Sequence, residues 1–399
     1  MKNRATLTII FITIFIDLMG FGILIPILPT FASKMLKVSD LGIGIIIAIF
    51  SLMQFLFNPI LGNLSDRYGR RPIILVTLCL TSISYIIFSF ATTFWILFLS
   101  RLLAGLGGSN IAVAQAYIAD ITTKEERSKG MGIIGAAFGL GFVFGPIFGA
   151  LLSKYGYAVA GFGSAGFSFL AFLFALLKLP ESNINREKGS SYKAKFFDLK
   201  FVKEKITSPV SGLMIIVFFI IVFSMANIYG TFAILGYKVY GFTDQQNGLL
   251  FGIVGIVGSF IQGSAMRFLS VKFSERTLIL VGTICMTIGL GFIPYGANFL
   301  GVAIIISILS IGTGMLQPTI LSMISKYSSD HEQGAVLGLN QSFSAFARVL
   351  GPLWGGFSYD YFGYQFPFLT GAVCTFVTFL LAFFLLKKFH RTKCLKLEI

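Results

Sequence analysis

The sequence predicts an all-α membrane protein, with twelve transmembrane helices in two pseudo-symmetric six-helix bundles. Three observations lead there. Of 399 residues, 56% are hydrophobic and only 12% charged, with a mean hydropathy of +0.86; a soluble domain carries about 25% charged residues. The apolar residues fall in blocks of roughly twenty or more, enough to cross about 30 Å of hydrocarbon. The basic residues are sorted between alternate connecting segments, which fixes an orientation.

Taken in order, the expected spans are 6–31, 41–64, 72–91, 94–119, 129–153, 158–179, 209–237, 244–268, 276–296, 299–325, 334–358 and 364–387. The first follows Lys2 and Arg4 but is too long for a secretion signal. It holds Asp17, Pro26 and Pro29 and lacks a small-x-small cleavage site, so it reads as a retained helix. With the N-terminus inside, twenty-five of the 31 Lys and Arg lie on inner segments. Four lie outside (Lys34, Lys37, Lys154 and Lys238), and Arg101 and Arg348 fall within spans. This bias places both termini in the cytoplasm of a multi-pass protein of the inner or plasma membrane. The net charge of +15 is thus a topology signal. Its scatter over separate loops does not resemble a nucleic-acid-binding surface.

Little else in the composition points to chemistry. Cys79, Cys285 and Cys374 sit in apolar spans, and Cys394 lies in the tail, with no disulfide or zinc spacing. His331 and His390 lie in inner segments, so no histidine relay is expected within the membrane. No metal or cofactor is expected. No nucleophile–base pair or phosphate loop marks an enzyme, and no sizeable extramembrane domain marks a receptor.

The chain repeats itself. Lys124–Gly156 and Asp330–Gly363 align at an offset of 206. Glu126 then meets Glu332, Gly132 meets Gly338, Gly145-Pro146 meets Gly351-Pro352, and Gly149 meets Gly355. The expected domains are a first bundle over 1–180, a cytoplasmic linker over 181–208, and a second bundle over 209–399. Within the linker, FFDLKFVKEK reads either as a short interfacial helix on anionic lipid or as a solvated loop. Two similar bundles suit alternating access, in which the halves rock around a substrate at the midplane. One chain holds both halves, so a monomer suffices.

The turn between spans two and three reads GNLSDRYGRRP, from Gly62 to Pro72. A plain positive-inside turn needs its basic residues but not its acid or its two glycines. It resembles the G-x-L-x-D-R-x-G-R-R motif of the major facilitator superfamily, and the likeness in span number and central loop covers the whole chain. The resemblance implies a latch of Gly62, Asp66, Arg67, Gly69, Arg70 and Arg71. In it Gly62 lets helices approach closely, Arg70 reaches Asp120, and Asp66 meets the second half near span eleven. The matching turn in the second half, Gln262–Arg276, keeps Arg267 and Arg276 but has no acid equivalent to Asp66.

Span five carries Gly141, Gly145 and Gly149 at intervals of four, a small-residue stripe for close helix contact, with Pro146 removing one backbone bond. The pattern resembles the antiporter motif of drug/proton antiporters in the superfamily. Asp17 is the one acid deep in an apolar span, and an acid there is a functional candidate by default; the alternative is a structural ion pair or helix–helix hydrogen bond. The run from Asp17 to Pro29 resembles the first helix of the tetracycline/proton antiporter branch, which implies that Asp17 contributes to transport; its burial in a span separately makes it the candidate to exchange protons. No acid is found in spans three, seven or nine, a departure from some relatives. Arg101 and Gly105 match the family's R-x-x-x-G element, linked to proton transfer; a structural role is the alternative. By family analogy the substrate cavity draws on Asp17, Phe21, Gln115, Asn227, Tyr229, Gln317, Gln341 and Arg348.

These readings lead to a proton-coupled efflux antiporter of drug-like or amphipathic molecules. The alternative is a metabolite or sugar transporter on the same scaffold, with Arg101 or Arg348 binding a polar substrate. The expected partners are the small-molecule substrate, protons and membrane lipid.

Overall fold

The computed structural model describes residues 2–122, 127–182, 199–208, 210–327 and 333–395, and they are almost entirely helical. The first helices are α1 (Lys2–Lys34), α2 (Asp40–Tyr68), α3 (Arg70–Ser89), α4 (Phe94–Gly107), α5 (Asn110–Ile121), α6 (Arg127–Leu152) and α7 (Tyr157–Lys178). A short α8 (Leu199–Thr207) follows, then α9 (Ser211–Lys238) and α10 (Asp244–Phe260). A π turn over Ile261–Ala265 leads into α11 (Met266–Lys272). The chain ends with α12 (Glu275–Phe292), α13 (Phe299–Lys326), α14 (Gln333–Phe362) and α15 (Phe366–Leu395).

Among the described residues, 11 helical stretches are long and apolar enough to span a membrane. Helices α4 and α5 together make the fourth, Phe94–Ile121, and α10 with its π turn and α11 make the eighth, Asp244–Lys272. The expected span at 334–358 is present as α14, 30 residues long, but is not one of the eleven. Asn340, Gln341, Ser344 and Arg348 dilute its apolar character. The α8 helix covers 199–205 of the expected interfacial segment and runs on to Thr207; residues 196–198 of that segment fall outside the described ones, as do Glu126, Glu332 and His331.

Local chemistry sets the helix ends. Ser39 accepts from the Gly42 amide at 3.1 Å, and Asn298 accepts from the Gly301 amide at 2.8 Å, each satisfying a donor that the helix start leaves open. Gly69 divides α2 from α3 with φ +104°, a conformation that excludes most side chains. Its amide donates to the Ser65 carbonyl at 3.0 Å, closing α2.

By contacts the chain forms two compact units, Met1–Tyr192 with Phe232–Gly255, and Lys193–Thr231 with Ile256–Ile399. The last turns of α9 and the first turns of α10 therefore pack with the first unit rather than separating at the linker. In that unit Ile10, Ile14 and Leu18 of α1 form a buried cluster with Val113, Tyr117 and Ile118 of α5 and Ala171 of α7.

In the first unit α1 and α6 pack backbone to backbone. A Cβ added to Gly145 would stand 2.5 Å from the Gly22 Cα, and one on Gly141 2.7 Å from the Leu18 Cβ. One on Gly149 would strike the Ile23 carbonyl. Lipid tails are as apolar as any side chain, so helices in a membrane gain little from burial alone and rely on such close backbone contact. The other face of α6 receives α10. Gly255 backs onto the Phe142 carbonyl, and an added Cβ would lie 2.7 Å from it. Phe142 is four residues before Pro146, so that carbonyl has lost its helical amide donor. The proline frees the oxygen and the glycine lets a helix close over it.

The second unit repeats the arrangement. Gly351 of α14 abuts Ala226 of α9, at 2.7 Å from an added Cβ, and Gly355 abuts the Asn227 carbonyl. We expect Gly145→Leu to destabilise the detergent-solubilised protein by about 1–3 kcal/mol, through forced separation of α1 and α6. Gly135→Ala, where an added Cβ meets nothing among the described residues within 4 Å, leaves the melting temperature unchanged or raises it. Equal effects of the two substitutions in a thermal melt would contradict the close-contact account.

Candidate functional site

Asp17 sits on α1, one residue before Leu18 in the α6 contact, and is 6% exposed. Both carboxylate oxygens are engaged. The Asn110 side-chain amide donates to Oδ2 at 2.8 Å and the Ser168 hydroxyl donates to Oδ1 at 2.7 Å. Asn110 opens α5, and Ser168 comes from α7. Asp17 is therefore bound by two neutral donors, the hydrogen-bonded alternative and not the ion pair.

Arg101 of α4 is also buried, at 4% exposure, and donates from Nη2 to the Ser100 hydroxyl at 3.2 Å. Its guanidinium lies 5.5 Å from the Tyr85 ring centre and 5.7 Å from that of Phe88. Its Nε has no hydrogen-bond partner among the described residues. Two aromatic faces stand in for an acid, since a ring quadrupole attracts a cation.

At the ends that the basic-residue count makes inner, Arg70 is the centre of a polar network. It is 7% exposed and contacts Asp66 at 2.5 Å, Asp120 at 3.0 Å and the Ser65 hydroxyl at 2.6 Å. The sequence reading missed Glu181 and Ser182. Glu181 accepts the backbone amides of Arg70 at 2.9 Å and Arg71 at 3.3 Å, at the open start of α3. The Ser182 hydroxyl donates to Asp120 at 3.0 Å, Tyr117 donates to the Pro180 carbonyl at 2.8 Å, and Arg71 Nη2 donates to the Leu176 carbonyl at 2.7 Å. The first residues of the linker are thus stitched to the motif turn. Arg67 lies over the Tyr68 ring at 5.4 Å.

Gly62 needs a correction. A Cβ there would meet nothing among the described residues within 4 Å, so the expected close helix approach is not made in this structure. Gly62 supplies its carbonyl instead, which accepts from the Ser65 hydroxyl at 2.6 Å.

The opposite ends carry a reciprocal pair of ion pairs. Lys34 at the end of α1 meets Asp244 at the start of α10 at 3.3 Å, and Lys238 at the end of α9 meets Asp40 at the start of α2 at 2.8 Å. Tyr157 donates to Asp244 at 2.8 Å, and the Lys34 ammonium sits 4.1 Å from the Tyr237 ring centre. KMLKVSD and KVYGFTD are the same element at an offset of 204, so each repeat's lysine takes the other's aspartate. This signal was present as K-x5-D in both repeats.

The substrate candidates divide. Gln115, Gln317 and Gln341 are exposed, as is Tyr229 at 36%. Phe21 stacks on Phe50 with ring centres 5.2 Å apart. Arg348 donates to the Ser344 hydroxyl at 2.8 Å, one turn back on α14. Asn227 is a correction: it is fully buried, and its amide donates to the Pro367 carbonyl at 2.5 Å. It occupies the α9 seat for α14, where Ile23 stands in the first unit, so it is buried in a helix contact and not exposed to a ligand in this structure.

Two outcomes follow. Glu181→Ala removes the acceptor for the first α3 amides, worth about 1 kcal/mol, so hydrogen exchange over residues 70–74 speeds up about fivefold; unchanged protection would contradict the cap. Exchanging the charges of Lys34 and Asp244 together recovers stability lost in either single reversal. The double-mutant cycle in thermal melts gives a favourable coupling of about 0.2–1 kcal/mol, and strict additivity would show that the pair is not formed.

Comparison with known proteins accords with this geometry. The family model described as Major Facilitator Superfamily matches residues 10–347 and 265–395. The class E tetracycline resistance protein of Escherichia coli is 31% identical over 363 residues, covering 90% of this chain and 88% of that protein. Multidrug resistance protein 1 of Bacillus subtilis (strain 168) is 29% identical over 373 residues, covering 92% of this chain and 94% of that protein. Among solved structures, the human organic anion transporter MFSD10 (TETRAN) superposes with a TM-score of 0.71 at 25% identity, over 95% of this chain and 99% of that one. With its paired glycine-seated helices and its motif turn between α2 and α3, the chain belongs to the Major Facilitator Superfamily.

Proposed function

We propose that this transporter is a proton-coupled efflux antiporter of drug-like or amphipathic small molecules, working by alternating access. The observation that carries this reading is the setting of Asp17. Its carboxyl is buried in a membrane helix and held, among the described residues, by an amide and a hydroxyl. A cationic partner would keep it ionised. A serine hydroxyl both donates and accepts, so rotation about one bond serves the carboxylate and the acid alike. Such a group gains and loses a proton while remaining in place. The similarity to tetracycline and multidrug resistance proteins supports the substrate class. Arg101, with no acid paired to it, assists the proton's passage.

Substrate is taken by the polar and aromatic side chains left exposed along the spans: Gln115, Tyr229, Gln317 and Gln341, with Phe21 and Arg348. Adaptable contacts among many apolar groups suit variable ligands. The network of Asp66, Arg70, Asp120 and Glu181 is the inner latch, and the reciprocal Lys34–Asp244 and Lys238–Asp40 pairs are its outer counterpart. The transporting halves are residues 1–180 and 209–399, joined by 181–208.

A second reading has a specific basis. Among the described residues Arg348 has only the neutral Ser344 as hydrogen-bond acceptor, and a human organic anion transporter is among the similar structures. Under that reading the substrate is a polar or anionic metabolite.

Proteoliposomes with an imposed pH gradient separate the two. A panel of cationic, zwitterionic and neutral amphiphiles and of organic anions is added to wild type, Asp17→Asn and Arg348→Gln. The antiporter reading expects an amphiphile to dissipate the gradient with wild type and not with Asp17→Asn. Substrate flux that leaves the gradient untouched, or survives Asp17→Asn with coupling intact, would overturn it. Flux confined to anions and lost in Arg348→Gln would establish the second reading.

A further inference from the structure

A cavity of about 750 Å³ opens at the inner end of the second unit, between the π turn with α11, the start of α12 and the last turns of α13. It serves neither the proton site nor the latch. Its lining holds two cations, Arg267 and Lys326, against one acid, Glu275. Lys326 pairs with Glu275. Arg267 is exposed to the cavity and makes no hydrogen bond or ion pair among the described residues. Gln262, Ser270 and Ser322 bring further polar groups. Met266, Leu278 and Met315 form an apolar cluster at its edge.

The repeat shows how this differs from the first bundle. At the offset of 206, Lys326 stands where the first bundle has Asp120. There Asp120 and Asp66 neutralise Arg70, and the turn is closed. Here the acid has become a base, no acid pairs with Arg267, and a cavity replaces the closed network. The helix itself is widened at this point. Gln262-Gly263-Ser264 lies in the π turn, an irregularity that recurs at functional sites. On the same stretch Phe268 is 77% and Val271 88% exposed, the apolar surface of a helix end that meets acyl chains.

We propose that this cavity is an anion site that binds a phosphate group, presented either by an anionic phospholipid of the inner leaflet or by free phosphate from the cytoplasm. Arg267 supplies a planar fork that matches two phosphate oxygens, and Lys326 adds a second charge at the rim. The Ser270 and Ser322 hydroxyls and the Gln262 amide are the remaining donors. Basic pockets between helices at the inner membrane face are suited to lipid head groups.

Native mass spectrometry of the full chain in detergent tests this, with phosphatidylglycerol and phosphatidylcholine as probes and inorganic phosphate as competitor. The site predicts that wild type retains phosphatidylglycerol in preference to phosphatidylcholine. Arg267→Gln weakens that retention about tenfold and Arg267→Lys less. Lys272→Gln, equally basic and on the same helix but outside the cavity, leaves it unchanged. Arg267 has no bond to lose, so its variants keep the wild-type melting temperature. If inorganic phosphate binds with the same Arg267 dependence while the lipid shows no preference, the site takes free phosphate. If inorganic phosphate fails to displace the lipid, the head group is the ligand. Equal losses in Arg267→Gln and Lys272→Gln, or binding of neither probe, would overturn the proposal.

Discussion

The backbone contact between α1 and α6 is the constraint on which the first unit depends. Gly22 and Gly145 bring two main chains to a separation that no side chain survives. The contact fixes the rotation of α1, and with it the direction in which Asp17 projects. On the far side of α6, Pro146 and Gly255 use the same device to bring in α10. A helix held on both faces by glycine contacts is a rigid strut, and sites that rely on sub-ångström geometry need such support. The carboxyl then finds Asn110 and Ser168 from two further helices, which completes a seat built from α1, α5 and α7.

The two repeats keep this architecture and diverge in chemistry. Gly351 and Gly355 seat α14 on α9 as Gly145 and Gly149 seat α6 on α1. Where α1 has Asp17, the equivalent place on α9 at the offset of 204 is Ile221, buried at 5%. Where α5 ends in Asp120, α13 ends in Lys326. The intramembrane acid and the closed inner network therefore belong to the first bundle. The second carries an open, net basic end and the exposed Gln317 and Gln341. Gene-duplicated scaffolds permit this division because close packing needs only small residues at fixed spacing. The remaining faces are free to change.

Much of this was legible in the sequence, for physical reasons. The spans follow from hydrocarbon thickness, and the α6 stripe from glycines at intervals of four. The Arg70 turn was visible because so many charges in an apolar chain need partners. Other features escaped because they are tertiary. Glu181, Asn110 and Ser168 are ordinary polar residues until folding brings them to α3 or to Asp17. Asn227 read as a ligand because a polar side chain in a span invites that reading; only the position of Pro367 shows that its amide nitrogen is already engaged. Gly62 read as a packing glycine because small residues usually are, yet its contribution is a carbonyl. The lysine–aspartate spacing in both repeats was readable but lacked a rule saying that the partners cross over.

The central claim is that Asp17 changes protonation in its seat when substrate binds. Infrared difference spectroscopy measures this directly, comparing the carboxyl C=O stretch of the purified protein with and without a transported compound, in wild type and Asp17→Asn. The account predicts that substrate removes one protonated-carboxyl band in wild type and that Asp17→Asn lacks the change. A difference spectrum that is the same in both proteins would show that Asp17 does not carry the proton.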